Sequence, residues 1–101
     1  MASQTKQSEQ TELEITLQGN KFVVVAIPSC FLEFVMEDKV MNMIHTFVDI
    51  DGRGQGLAGK LCMVAFKHCQ KENLQVKPSC TYISGRFLIK HPEFAGICVE
   101  Q

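Results

Sequence analysis

The sequence predicts a mixed α+β fold: a twisted, mostly antiparallel sheet of about five strands, one right-handed β-α-β crossover and a C-terminal helix. Three observations carry this. The first half alternates apolar with polar residues or gathers short β-branched and aromatic runs. The hydrophobic period then changes to a helical one after a glycine-rich loop at 51–60. A short strand and a second helical pattern follow and end the chain.

Leu13, Ile15 and Leu17 alternate with polar residues as in a half-buried strand. Gly19-Asn20 marks a turn, and Lys21 to Ile27 is a second strand running to Pro28. Cys30 to Met36 reads as a third strand and Val40 to Val48 as a fourth, with the break at Glu37-Asp38-Lys39 short enough for a hairpin. From Gly54 to Glu72 the residues Leu57, Ala58, Leu61, Cys62, Ala65, Phe66 and Cys69 form one apolar face of a helix of about five turns. Lysines gather in its last turn, as the negative end of a helix dipole favours, and Asn73 is its stop. Leu74 to Lys77 is a short strand ending at Pro78. Ser79 to Lys90 is a second helix with Ile83, Phe87 and Leu88 inward, ended by Pro92. The order β-β-β-β-α-β-α makes the last two strands parallel, joined by a right-handed crossover.

A chain of 101 residues is read as one domain with a single small core. The polar stretch 1–12 reads as a disordered tail preceding a minimal domain at 13–101. The net charge of −1 gives no basic field for nucleic acid, and no apolar run approaches the roughly 18 residues of a membrane span. The five cysteines are odd in number and lack Cys-x-x-Cys spacing, which argues against a disulfide framework or a zinc site. Reduced thiols fit the cytosol or nucleus. The oligomeric state is open; the apolar Phe22 to Ile27 strand is a candidate sheet edge for pairing.

Asp51 to Lys60 holds four glycines in eight positions, between a strand and a helix. Such a turn exposes backbone N–H groups at the positive end of a helix dipole, which is a phosphate site. Gly54-x-Gly56-x-x-Gly59 fits the dinucleotide fingerprint, but it lies mid-chain with too little sequence after it to build that sheet. Gly54-x-x-x-x-Gly59-Lys60 nearly spells a nucleotide P-loop, yet Leu61 stands where a magnesium-binding hydroxyl belongs. Asp49 and Asp51 suggest a calcium loop, but Lys60 stands at the position of the bidentate glutamate. The fourth reading is an acyl-coenzyme A site, through Arg53-x-x-Gly56-x-Ala58.

That last motif belongs to an ordered set: His45-Thr46-Phe47-Val48, Arg53-Gly54-Gln55-Gly56-Leu57-Ala58, Val76-Lys77-Pro78-Ser79-Cys80-Thr81-Tyr82 and His91-Pro92-Glu93-Phe94. Together they resemble the GNAT superfamily of N-acetyltransferases, in its small YjdJ-type branch, over about residues 13 to 96. The resemblance implies transfer of an acetyl group from acetyl-coenzyme A to an amine, with no metal. It places the coenzyme pyrophosphate on the loop, at the backbone N–H groups of Gln55 through Gly59, with Gly54 in the same turn and Arg53 beside it. It places the pantetheine arm along the backbone of Thr46, Phe47 and Val48, in a gap where that strand and the strand at Leu74 to Lys77 splay apart.

Cys80, inside the third motif and at the start of the last helix, is the candidate for chemistry, as a transiently acylated nucleophile or as the base that deprotonates the amine. A helix N-terminus raises the thiolate fraction of a cysteine. Tyr82 is the candidate proton donor to the departing thiolate, and His45 a candidate general base. His91 reads as a helix cap and His68 as structural. Members of the superfamily carry helices between their first strands, and the gap from Ile27 to Cys30 is too short for one. The acceptor side is therefore expected to be open, which favours a protein or peptide amine. A non-enzymatic module that binds coenzyme A, and a nucleotide-binding protein using the same loop, are the competing expectations.

Overall fold

The computed structural model describes residues 13–49, 52, 54 and 56–99. Residues 1–12, Ile50, Asp51, Arg53, Gln55 and 100–101 lie outside these, so the expectations for the N-terminal tail, Arg53 and Gln55 fall outside the described residues.

Five strands lie side by side in chain order: β1 (Ile15–Gln18), β2 (Lys21–Val24), β3 (Phe31–Glu37), β4 (Val40–Phe47) and β5 (Gln75–Lys77). The first four are antiparallel, and β5 is parallel to β4. The β1–β2 hairpin turns at Gly19, whose φ of 62° suits a residue without Cβ. The β3–β4 hairpin turns at Asp38-Lys39, with Asp38 also left-handed at φ 58°. Asp tolerates this region better than most residues. One long helix, α1 (Leu57–Glu72), connects β4 to β5. After β5 comes a helical segment that contains a wide π-helical turn (Ile83–Phe87) and ends in α2 (Leu88–Lys90), followed by a 3-10 helix at Pro92–Ile97.

Several boundaries differ from the expectations. β2 ends at Val24 rather than Ile27 because the chain folds into a tight turn: the Ile27 amide donates to the Val24 carbonyl (3.1 Å) and the Cys30 amide to the Ile27 carbonyl (2.8 Å). β2 is also no edge strand, since it lies between β1 and β3. α1 starts at Leu57 rather than Gly54 because Gly54 (φ 84°) and Gly56 (φ 68°) are left-handed and cannot belong to a right-handed helix. Asn73 does stop α1, with φ 59° and its amide turned back to the carbonyls of Cys69 and Gln70. Neither the π-helical turn nor the 3-10 helix was expected, nor that the Val99 amide would return to the Val76 carbonyl (2.8 Å) and cover the outer side of β5.

The core lies between one sheet face and α1. Phe22, Val24, Leu32, Phe34, Met41 and Met43 point to it from the sheet, and Leu57, Leu61, Cys62, Ala65, Phe66 and Cys69 from the helix; Ala58 is only half-buried. The C-terminal segment is fastened to α1 by aromatic rings. Phe66 stacks on Phe87 (centroids 5.2 Å apart) and meets Phe94 (5.1 Å), and Phe87 packs on His91 (4.6 Å). His68 meets the edge of Phe22 (5.5 Å), a structural contact as expected. The other sheet face carries Lys21, Val23, Phe31, Glu33, Val35, His45 and Phe47; Val23 is buried there, Lys21, Phe31 and Glu33 are half-buried, and Val35, His45 and Phe47 are exposed. No helix covers it because only a six-residue turn, 25–30, joins β2 to β3. Among the described residues no helix is long and apolar enough to cross a membrane.

Because Asn73 holds a left-handed conformation, Asn73→Gly is expected to be neutral or slightly stabilising. Asn73→Val is expected to cost about 1–2 kcal/mol, read as a lower urea midpoint at unchanged slope.

Candidate functional site

β4 and β5 pair over only three positions, Val40↔Gln75, Met41↔Val76 and Asn42↔Lys77. The chain then reaches Pro78, which has no amide to extend the ladder. The Ser79 amide folds back to the Lys77 carbonyl (3.0 Å), and the Ser79 hydroxyl donates to Asn42 Oδ1 (2.6 Å). One further bond closes the fork: the Cys80 amide donates to the Met43 carbonyl (2.9 Å). Beyond it β4 continues to Phe47, while the other chain turns away into the C-terminal helical segment. The expected splay is present, with Cys80 at its crotch.

β4 carries a bulge here. Glu33 opposes His45 but Phe34 opposes Met43, so Ile44 is an extra residue. A one-residue slip exchanges the two faces of a strand. Past the bulge Thr46 joins the core-facing side, opposite Leu32, and its hydroxyl lies 3.5 Å from the Cys80 sulfur. His45 and Phe47 turn to the open face, where their rings stack on each other (6.2 Å) and lie near Phe31 (6.0 and 5.9 Å). Lys21 Nζ sits over the Phe31 ring at 4.4 Å.

The loop at the far end of β4 is tied down by Asp49. Its carboxylate accepts from the Ser29 hydroxyl, from the Cys30 thiol (3.6 Å) and from the Gly52 amide (3.3 Å). Its carbonyl also accepts from the Gly52 amide (3.0 Å). Gly52 is buried so closely that an added Cβ would lie 2.6 Å from Cys30 Sγ and 2.8 Å from Leu57 Cδ1. At Gly54 and Gly56 an added Cβ would meet nothing within 4 Å. Those two glycines are required by conformation and Gly52 by packing.

Gly56 is the N-cap of α1, and among the described residues no side chain caps the helix. The first intrahelical bond runs from the Lys60 amide to the Gly56 carbonyl (3.1 Å), so the amides of Leu57, Ala58 and Gly59 precede it. The first turn holds no acidic residue to repel an anion. Leu57 contributes only its backbone, since its side chain is in the core.

Around Cys80 the structure gathers Thr46, Cys62, Tyr82 and Gly59. A Cβ added at Gly59 would lie 3.7 Å from the Tyr82 hydroxyl. Burial, and then the neighbouring Cys80, push the Cys62 thiol up to about 12, against a hydrogen bond from Thr46 that lowers it. Tyr82 is raised by burial and by Cys62, against a lowering by Arg86, so its phenol keeps its proton at neutral pH. The Cys80 carbonyl accepts the amides of Ile83 (3.0 Å) and Ser84 (3.1 Å), which places Cys80 at the start of the helical segment as expected. His45 is not brought to this group. His91 ends α2 and opens the 3-10 helix through its backbone, without a side-chain cap, and its ring nitrogen lies 3.5 Å from Glu93.

Asp49 and Cys62 were not singled out as site residues from the sequence. An Asp ahead of a glycine turn is a recognisable signature of a side chain bonding its own backbone. Cys62 had no signal beyond its place on the apolar face of α1. None of the five cysteines is disulfide-bonded, and among the described residues no group of three or more His, Cys, Asp or Glu could hold a metal ion.

A helix that starts behind a glycine turn, at the end of β4 where the parallel ladder to β5 has stopped, sits on an α+β sheet with one helix-covered face. Residues 12–97 match the family described as GCN5-related N-acetyl-transferase. This is most of the chain, which therefore belongs to that family and to its class of acyl-transferring enzymes. The fold is similar to the solution NMR structure of a GCN5-like protein from Staphylococcus aureus, with a TM-score of 0.63 and 22% identity over 88% of this chain and 90% of that one. At that identity the likeness concerns the fold.

The raised thiols have a consequence for alkaline stability. A folded-state pKa above the unfolded one gives stability that is complete below the unfolded value and lost as pH rises through the folded value. For Cys62 the window runs from 9.0 to about 12. Unfolding free energy should fall from pH 9 upward, and in Cys62→Ala the slope should be shallower by up to about 1.4 kcal/mol per pH unit. Urea titrations at pH 8, 9 and 10 measure both slopes.

Proposed function

We propose that this chain, over residues 13–101, transfers an acetyl group from acetyl-coenzyme A to an amine on a protein or peptide, as a member of the small YjdJ-type branch. The observation that carries this reading is the fork: β4 and β5 part after Lys77, with the first-turn amides of α1 at the same end of β4 as the opening. A diphosphate fits amides that precede the first helical bond in a first turn without an acidic residue. A pantetheine arm is itself an amide chain, and it suits the unpaired side of a strand such as the backbone of Thr46, Phe47 and Val48.

In this reading Gly54 and Gly56 set the turn, the backbone of Leu57, Ala58 and Gly59 binds phosphate oxygens, and Gln55 and Arg53 belong to the same loop. The amine nitrogen attacks the thioester carbonyl, the carbon–sulfur bond breaks, and coenzyme A leaves as a thiolate. Tyr82, protonated at neutral pH, supplies the proton to that sulfur. Cys80 serves as the nucleophile that first carries the acetyl group or as the base for the amine. His45 lies on the uncovered face with Phe31 and Phe47, on the other side of β4 from Cys80, where it would meet a bulky acceptor. The same uncovered face supports a protein or peptide acceptor over an enclosed metabolite. Coenzyme A binding without turnover is the second reading, and turnover separates the two.

Coenzyme A at one hundred times its dissociation constant should add about 2.7 kcal/mol to the stability of the native protein, seen as a rise in Tm. Gly54→Ala combined with Gly56→Ala forces two left-handed residues to carry a Cβ and should weaken coenzyme A binding at least tenfold. Cys80→Ala should keep the coenzyme A shift and lower acetyl transfer to a peptide library by about 10²-fold or more. No Tm shift at millimolar coenzyme A would end this reading.

A further inference from the structure

We propose that Thr46 is a positioning residue for Cys80: its hydroxyl gives its single proton to the Cys80 sulfur and thereby favours the thiolate. This goes beyond a backbone role for Thr46 and rests on the reading that Cys80 takes part in acetyl transfer.

The geometry begins with the bulge. Were Ile44 paired in a regular ladder instead of bulged, the alternation that buries Met41 and Met43 would turn residue 45 toward the core side and residue 46 away from it. The bulge puts a hydroxyl there instead of an imidazole. Cys80 is held on both sides of its Cα, by its amide on the Met43 carbonyl (2.9 Å) and by its carbonyl on the amides of Ile83 and Ser84 (3.0 and 3.1 Å). From that fixed backbone its sulfur reaches to 3.5 Å from the Thr46 hydroxyl.

Direction follows from the thiolate itself. A hydroxyl has one proton and two acceptor lone pairs, and a thiolate has no proton to give. Once Cys80 is ionised, the Thr46 hydroxyl is therefore the donor across the 3.5 Å contact. A hydrogen bond received by the charged form of a thiol favours that form, and the thiolate is the reactive species. The titratable groups near Cys80 are Cys62 from α1 and Tyr82 from its own segment, with Arg86 acting on Tyr82. On β4, His45 faces the opposite side, so Thr46 is the polar side chain that strand presents to Cys80.

The test is the pH dependence of iodoacetamide alkylation at Cys80, read by mass spectrometry of its peptide, in the native full-length chain and in Thr46→Val and Thr46→Ser. Thr46→Val keeps the shape and removes the hydroxyl; Thr46→Ala serves if it does not fold. Either should move the midpoint of Cys80 alkylation up by about one pH unit and slow the reaction near neutral pH by close to tenfold. Thr46→Ser should restore the native profile within about twofold, and Cys98, also partly accessible, should react alike in all variants. An unchanged Cys80 profile in Thr46→Val or Thr46→Ala overturns the role of Thr46. Alkylation reads the thiol independently of acetyl-coenzyme A. A shifted profile in a protein with no acetyl transfer upholds the hydrogen bond and removes the function, whereas transfer with an unshifted profile removes the hydrogen bond alone.

Discussion

Pro78 has no amide proton, and the parallel ladder between β4 and β5 ends at the residue before it. That early stop shapes the rest. A buried proline also turns the chain, so that the next amides reach Lys77 and Met43 instead of the remainder of β4. β4 therefore continues past its neighbour to Phe47, beyond the last bond to that chain at Met43. A gap between parallel strands is otherwise expensive, because buried peptide groups need partners. It is tolerated where a ligand or solvent can reach the strand, and the first-turn amides of α1 lie beyond the same end of β4.

The fork stays open because its two arms are fastened elsewhere. The arm after β5 is pinned to α1 through Phe66, Phe87 and Phe94, and through the return of Val99 to Val76. The arm formed by β4 is held by seven register pairs to β3 and, past its end, by Asp49 bonded to the β2–β3 turn and to Gly52. Cys80 and Tyr82 sit on the first arm and Thr46 on the second, so the distances among them depend on both fastenings. The uncovered face of the sheet follows from the short β2–β3 turn. It presents Phe31, His45 and Phe47, with Phe47 41% exposed, to any acceptor too large for a pocket.

Much of this was legible in the residues. Period-two alternation located the strands, the change to a helical period located α1, and Asn73 and Pro78 located two of its neighbours' boundaries. The glycine turn and the cysteine after Pro78 stand out in the sequence, and the structure puts them at the two ends of the fork's arms, the start of α1 and the start of the last helical segment. The bulge at Ile44 was not legible, because one inserted residue in an apolar run changes no composition, yet it exchanges the faces of His45 and Thr46. A β2 strand in the interior of the sheet was likewise hidden, since alternation gives each strand its faces and not its neighbours. The helical period was read from Gly54, and the left-handed backbone of Gly54 and Gly56 delays the start of α1 by three residues, to Leu57. The π-helical turn at Ile83–Phe87 has no evident cause in its side chains.

The central claim is that backbone amides at the mouth of α1, together with the unpaired side of β4, bind one ligand. Titrating ¹⁵N-labelled protein with coenzyme A and following each amide by NMR tests it most directly. The account predicts the largest shifts at Gly54, Gly56 to Gly59 and Thr46 to Val48, saturating together at one concentration scale. Shifts confined to other surfaces, or amides at 54–59 that stay unmoved while coenzyme A binds, would contradict it.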